Sequence, residues 1–436
     1  MNGTKQIRQD QQGSVLVVVM GLLFITIGLV LTILDVASDH RKISTRQVNV
    51  DQAMYVAEAG LERGARFMES NLTIMVSSST GATNGSGTLG SGTFNYYIVR
   101  TNSSTYCIVS TGTVNHVTRV VSLMDVYQPT YAQYALWSHI NNSLVFSQGQ
   151  AFTGHVHADD ELYFNNSGGG PVFHSALTSD TGTYSGSISG IEMDQGLTLN
   201  SYQGTMADVN FNSGASSLKT LASSGANVEV SGTTTITFSG SNVLITNSGK
   251  SWNNHSSAIP TSGLLIYVAN NGTTTGSKSG TIYLEGGTVT GPLTVVSENN
   301  MYVENSITYT HNPVTTPSTT DALGLISQDS IWVDNGAPTA LTIDAAMIAT
   351  GTSGDGTTGS FGVSNYSTKS PTGTLTIYGG IVQNQRGAVA TVNGSGVTQT
   401  GYSKNYSYDP RFINTPPPDY PTVAGKVNFA QWTEGH

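Results

Sequence analysis

Cysteine is nearly absent from this chain of 436 residues, which contains only Cys107. An intramolecular disulfide is therefore excluded, and any exported domain must be stable from packing alone. Cys107 lies between aromatic and β-branched neighbours in the run Tyr-Cys-Ile-Val at positions 106–109. That pattern predicts a buried strand residue rather than a reactive thiol.

Charge is also scarce, at 10% of residues, and it is unevenly spread. Residues 1–120 hold nine Lys and Arg against seven Asp and Glu, whereas the remainder holds eight against twenty. Nucleic-acid binding is disfavoured because neutralising phosphates requires a basic surface.

Proline is absent before Pro129, so no proline breaks a helix in the first part of the chain. Residues Ser14 to Leu34 contain no charge among 21 positions. As a helix this stretch would be about 30 Å long, the thickness of a bilayer core. A polar leader, residues 1–13, precedes it and ends in Gly13. The apolar run is longer than that of a secretory signal and continues into a charged helix, so we expect a membrane span, residues 14–34.

A helical repeat continues beyond this span. Apolar residues recur at steps of three and four at Val50, Met54, Ala57, Leu61, Ala65, Met68, Leu72 and Met75. This spacing marks one face of a helix. We therefore predict one helix from about Ser14 to about Met75, roughly 90 Å long.

Three β-rich runs follow a flexible stretch from Ser77 to Gly92. They are Phe94–Arg100, Tyr106–Ser110 and Val117–Tyr127, and polar turns separate them. We predict a small antiparallel sheet that covers the helix and forms, with it, a module of residues 35–128.

The leader and span together resemble a type IV prepilin N-terminus, in which prepilin peptidase cleaves after the glycine. The resemblance implies cleavage between Gly13 and Ser14. Residues 52–62, QAMYVAEAGLE, resemble a run that follows the span in PilX-like minor pilins. The resemblance also implies that apolar side chains of the span hold the protein in the membrane and pack in a filament: Leu16, Val18, Leu22, Phe24, Leu29 and Leu34. The alternatives are an uncleaved anchor and a helix whose small residues allow close packing.

One position departs from the major-pilin pattern. Most major pilins carry glutamate at the fifth mature position, where it is thought to pair with a neighbouring subunit's terminal amine. Counted from Ser14, the fifth residue is Val18. Large minor subunits thought to sit at filament tips also lack this glutamate, so the resemblance favours a tip or initiation role.

From residue 129 to 425 the pattern changes to short apolar runs separated by Gly, Asn, Ser and Asp, such as Leu264 to Ala269 and Leu341 to Ile348. We predict an α+β protein in which the N-terminal helix and small sheet precede an all-β domain. An irregular right-handed parallel β-helix is the first choice for this domain, because Ile282 and Tyr302 are separated by about one coil, and a pair of β-sandwiches is the second. Residues 426–436 are predicted to be a tail.

The run from His155 to Glu161, HVHADDE, is the candidate metal site. His155 and His157 project on the same face of a strand, and three carboxylates follow. Zinc or calcium would need further ligands, so we favour strand-surface side chains followed by a polar turn. The stretch resembles a marker of the β-rich domain of unknown function that accompanies PilX-like N-termini. No metal, cofactor or catalytic residue is assigned.

The C-terminal region, which resembles the end of the same domain, suits a cap. Asp409 and Arg411 can pin a turn, Pro416 to Pro418 fixes an extended segment, and tyrosines such as Tyr406 can cover the last coil. The alternative is an exposed aromatic strip that binds a ligand.

We interpret the chain as a large minor pilin or pseudopilin, without enzymatic activity, that initiates or caps a type IV filament. The expected partners are the bacterial inner membrane, other pilins, the pilus assembly machinery, prepilin peptidase and a surface glycan or protein ligand. The large domain is expected outside the cytoplasm. The alternatives are an envelope-anchored, polysaccharide-active β-helix enzyme and a surface adhesin with an uncleaved anchor.

Overall fold

The structure is a computed structural model. One continuous helix forms its N-terminal part. The model describes residues 6–70, 83–101, 105–127, 129–141, 144–165, 169–201, 218–247, 255–271, 279–351, 359–370, 373–393, 397–423, 427–429 and 431–435. Helix α1 runs Gln6–Ser70, about 97 Å at the standard rise. The predicted continuity is confirmed, and the helix begins earlier than expected, within the leader. Leu72 and Met75 lie outside the described residues.

An antiparallel sheet packs against the second half of α1. Its strands are β1 Thr83–Leu89, β2 Gly92–Arg100, β3 Tyr106–Val114, β4 Val117–Val126 and β32 Gln431–Gly435, in the order β1-β2-β3-β4-β32. The three predicted strands are confirmed. Cys107 is buried in β3, as predicted, and burial raises the pKa of its thiol.

Strand β1 lies inside the stretch predicted to be flexible, so that prediction is wrong for residues 83–89. Its sequence, TNGSGTL, has no strand signal of its own. Gly85 pairs with Tyr96 and Gly87 with Phe94 on β2. The aromatic rings lie where a glycine Cβ would be, so they cover the two bare backbone positions. The neighbouring strand, rather than local propensity, supports β1.

The helix lies close to the sheet because small residues line its contact face. Ala53 and Ala57 are fully buried, and a Cβ at Gly64 would come 2.8 Å from Ile108 Cγ2. On the sheet side, a Cβ at Gly112 would meet the helix backbone. The interpretation of residues 52–62 as a close-packing helix face is therefore confirmed, and it is compatible with the pilin resemblance.

The segment predicted as a tail contains a strand of the first sheet. Strand β32 pairs antiparallel with β4, and isolated bridges join Tyr127 to Asn428 and Thr130 to Thr422. The outgoing and returning chains are therefore paired where the first sheet meets the large domain. Its sequence, QWTEG, does not alternate apolar and polar residues, so the strand could not be predicted from its pattern.

The large domain is built almost entirely of short strands. In chain order they are β5 Tyr134–Ile140, β6 Phe146–Ser147, β7 Ala151–Phe152, β8 His155–Ala158, β9 Leu162–Asn165, β10 Val172–Phe173, β11 Leu177–Ser179, β12 Tyr184–Ser185, β13 Glu192–Met193, β14 Leu197–Thr198, β15 Val228–Ser231, β16 Thr234–Gly240, β17 Asn242–Asn247, β18 His255–Ala258, β19 Leu264–Ala269, β20 Ile282–Val289, β21 Pro292–Ser297, β22 Met301–Val303, β23 Ile307–Tyr309, β24 Ala322–Ser327, β25 Ile331–Val333, β26 Leu341–Ala349, β27 Phe361–Val363, β28 Thr374–Gln385, β29 Ala390–Val392, β30 Thr398–Gly401 and β31 Ser403–Ser407. Short 3₁₀ helices span Tyr131–Gln133 and Pro410–Ile413.

Most of these strands pair in parallel ladders. The longest runs β15-β19-β21-β24-β26-β28-β5-β8-β11-β14. A second runs β16-β20-β23-β26-β28-β31 and a third β20-β22-β25-β27. The first strand of the domain, β5, therefore lies beside β28, near the domain's C-terminal end.

Three consecutive strands of the longest ladder are buried on both faces. Every residue of β19, β21 and β24 is buried, because one face points to the apolar core and the other lies under the C-terminal segment. Tyr420 packs where a Cβ at Gly324 would be, and Pro418 does the same at Gly263. Pro418 and Tyr420 thus cover the side of this ladder and not its end, whereas β31, which contains Tyr406, is the last strand of the second ladder.

Candidate functional site

The predicted membrane segment, residues 14–34, has exposed apolar side chains. All six apolar side chains assigned to membrane and filament packing are exposed, from 57% for Leu29 to 67% for Phe24. Within the described part of the chain, α1 is the helix long and apolar enough to cross a membrane, and its most apolar window has no buried residue. Burying one such side chain stabilises by about 1.5–3 kcal/mol, so this surface requires a bilayer or a partner.

Gly13 and Ser14, the predicted processing site, lie within helix α1. Their side chains lie outside the described part of the structure. The cleavage assignment therefore stays a prediction.

A histidine and two aspartates converge in the large domain. His157 on β8 is fully buried, and its Nε2 lies 3.1 Å from Asp159 Oδ1 and 3.4 Å from Asp180 Oδ1. Its Nδ1 lies 2.7 Å from Thr178 Oγ1. Strands β8 and β11 pair in register, with Ala158 opposite Ser179, so the residues that directly follow the two strands lie side by side.

Asp159 is held by side chains of the neighbouring strand β5. Trp137 Nε1 donates to its Oδ1 at 2.6 Å, and His139 Nδ1 lies 2.9 Å from its Oδ2. Burial raises the pKa of the Asp159 carboxyl, but the hydrogen bonds from His139 and Trp137 and the proximity of His157 hold it below its usual value. The carboxylate is therefore ionised in a nearly closed site.

The surface interpretation of this run is wrong for His157, which lies in the interior, while His155 is half-buried and contacts Thr178. Asp160 and Glu161 point elsewhere. Asp160 accepts from the backbone N–H of Asn141, and Glu161 accepts from Ser185 Oγ. Sequence reasoning missed Asp180, because it belongs to the next strand pair and no local motif marks it.

A second histidine–carboxylate group lies on the surface. His174 Nδ1 is 3.2 Å from Asp194 Oδ2, both side chains are nearly half exposed, and Glu192 is nearby. Water screens such exposed pairs. This group provides a surface comparison for the buried one.

A cleft of about 280 Å³ contains two cations of the otherwise acidic domain, Arg386 and Lys404. Arg386 stacks on Phe146 with its Cζ 4.0 Å from the ring centre and donates to the Leu144 carbonyl. Burial lowers the pKa of Arg386 to about 10, and burial together with the Arg386 charge lowers that of Lys404 to about 7.

The C-terminal turn forms as predicted, but the aromatic strip does not. Arg411 donates to both carboxylate oxygens of buried Asp409, at 3.0 and 2.6 Å, and also binds the carbonyls of Thr319 and Asp321. Tyr402 and Tyr408 are buried and Tyr406 is half-buried. The exposed aromatic ligand strip is therefore wrong.

Among solved structures, a competence-associated pilin resembles this chain weakly. The crystal structure of the competence-associated pilin ComZ from Thermus thermophilus covers 89% of this chain and 98% of its own, at 10% identity and a TM-score of 0.33. At this TM-score the likeness defines neither fold nor role. No family model and no curated protein matches the chain.

Proposed function

We propose that this chain is a minor pilin or pseudopilin of a type IV filament system, anchored in the bacterial inner membrane with its β-rich domain outside the cytoplasm. The observation that carries the proposal is the division of α1 into two parts. The first part is apolar and exposed, and the second is covered by an antiparallel sheet. The leader ending in Gly13 adds a processing site for prepilin peptidase.

The large domain in this proposal is a right-handed parallel β-helix. Its three ladders of parallel strands support this assignment, because sandwich sheets are built from antiparallel strands. It would be displayed at the filament end, since Val18 provides no carboxylate for pairing with a subunit above. Other pilins and the assembly machinery would bind the exposed part of α1.

The role proposed is assembly and binding rather than catalysis. Asp160 and Glu161 accept structural hydrogen bonds, which disfavours the polysaccharide-active alternative. The cleft beside Arg386 and Lys404 is the surface that we propose for adhesion to a surface glycan or protein as an added role. An adhesin with an uncleaved anchor is the remaining alternative.

The position in the filament can be tested by immunogold labelling of sheared filaments that carry the tagged chain. We expect wild-type label at one filament end. Val18→Glu restores the missing carboxylate and is expected to move label along the filament shaft. Val19→Glu, at the next position of the helix, is the matched control and should leave the label at the filament end. Label along the shaft for the wild-type chain would contradict the tip assignment.

A further inference from the structure

His157, Asp159 and Asp180 are brought together by the register of two strands. Asp159 follows β8 directly and Asp180 follows β11 directly. Ala158 and Ser179 are Cα partners in these strands. The two aspartates therefore occupy equivalent places one coil apart, and one ligand atom from each of the three residues lies within 4.8 Å of the others.

The spacing around His157 Nε2 is that of atoms that share a metal ion. The carboxylate oxygens lie 3.1 and 3.4 Å away. Two ligands at about 2.0–2.1 Å from a tetrahedral zinc ion are separated by about 3.3 Å. The ring and Asp159 are nearly closed to solvent, while the Asp180 side chain is 17% exposed and provides the route by which an ion enters.

Two carboxylate oxygens face the second nitrogen of the His157 ring. His157 Nδ1 is engaged with Thr178, so Nε2 is the atom that faces the oxygens. A proton on Nε2 requires an aligned hydrogen bond to an acceptor, yet Nε2 has no hydrogen-bond partner despite being buried. A metal ion satisfies the nitrogen without that alignment, because it lies between the atoms and not on the line that joins them.

The surrounding contacts resemble the outer shell of metal centres. Ligating histidines usually hydrogen-bond through the second ring nitrogen, and ligating carboxylates are themselves hydrogen-bonded. Thr178 serves His157 in this way, and Trp137 and His139 serve Asp159. The ligand atoms are thus oriented by side chains from the strands on either side of β8.

We infer that His157, Asp159 and Asp180 form a binding site for a divalent first-row transition metal ion, for which zinc is the test ion. One imidazole nitrogen and two carboxylate oxygens suit such an ion. Calcium prefers six to eight oxygen ligands. With three protein ligands, a fourth position is left for water on the Asp180 side. The ion would join successive coils of the domain, which has no disulfide.

The test uses the full-length chain purified in detergent, stripped with EDTA, incubated with zinc and desalted. Retained zinc is measured by mass spectrometry and thermal unfolding is followed with and without zinc. We expect about one zinc per wild-type chain and an increase in Tm upon addition. Asp180→Asn should weaken zinc binding by about tenfold or more and abolish the increase in Tm. The matched control, His174→Asn, removes the exposed histidine and should retain both effects.

The wild-type chain also provides a test that no folding defect can obscure. X-ray absorption on the zinc-loaded protein should show three or four nitrogen or oxygen neighbours at about 2.0–2.2 Å, the outer-shell scattering of one imidazole ring and no sulfur. Absence of retained zinc in the wild-type chain would overturn the site and leave a bridging proton. Equal retention by Asp180→Asn, or loss in His174→Asn alone, would overturn it as well.

Discussion

Asp344 is a carboxylate whose environment costs stability at neutral pH. It lies on β26, and its Oδ2 accepts from the backbone N–H of Tyr309 at 2.9 Å. Burial raises the pKa of its carboxyl from 3.8 to about 6, with a further increase from Asp409 and opposing contributions from the Tyr309 hydrogen bond and Arg411. The folded state therefore binds more protons than the unfolded chain between about pH 4 and 6, and stability falls as pH rises through that window.

Asp344→Asn should stabilise the protein by about 1–3 kcal/mol at pH 7 and give no gain near pH 3.5. The amide keeps an oxygen acceptor for Tyr309 and removes the buried charge. Urea unfolding at the two pH values measures the difference. Asp194→Asn, at a half-exposed carboxylate, is the control and should show no such gain. A variant less stable than wild type at pH 7 would contradict the assignment.

Only part of the buried cluster of His157, Asp159 and Asp180 could be predicted from the sequence alone. His157 and Asp159 are two positions apart in one motif and could be predicted to lie together. Asp180 is 21 positions beyond Asp159, and only the register between β8 and β11 makes it their neighbour. The burial of His157 could not be predicted from its sequence neighbours either, because the residues that cover it, Trp137 and Thr178, lie on adjacent strands.

At the scale of elements, local sequence signals predict helix α1 and many of the strands. The remaining strands depend on the strands with which they pair. The uncharged span and helical repeat are sufficient for α1. Strand β1 exists because aromatic rings of β2 cover its glycines, and β5 lies beside β28, where Ser138 approaches Gln383 across 245 positions. Residues this far apart never fall within one local stretch of sequence, so the position of β5 in the ladder could not be predicted.

Strand β32 provides a test at this scale. Truncation after Val423 removes it and exposes one edge of β4, where Val121 and Leu123 are buried. Loss of five cross-strand pairs should destabilise the first sheet by about 1–3 kcal/mol. Limited proteolysis should then cleave faster within residues 83–127. Phe429→Ser, at an exposed residue outside β32, is the matched control, and equal cleavage in wild type and truncation would contradict the role of this strand.

The whole molecule combines two surfaces that require different surroundings. The first half of α1 exposes an uncharged apolar surface about 30 Å long. The β-rich domain is acidic and polar outside, with eight cationic against twenty anionic residues beyond position 120. A membrane or filament core on one side and water on the other satisfy both, which is the arrangement that the proposed pilin-like role requires.

The most direct test of that role is the mass and N-terminal sequence of the protein extracted from membranes, with and without co-expressed prepilin peptidase. The account predicts a chain that begins at Ser14 only when the peptidase is present. Gly13→Leu should block this cleavage, whereas Gly3→Leu, at a leader glycine away from the site, should leave it intact. An intact Met1 in both wild-type samples, with the peptidase active on a known prepilin, would contradict the prepilin assignment.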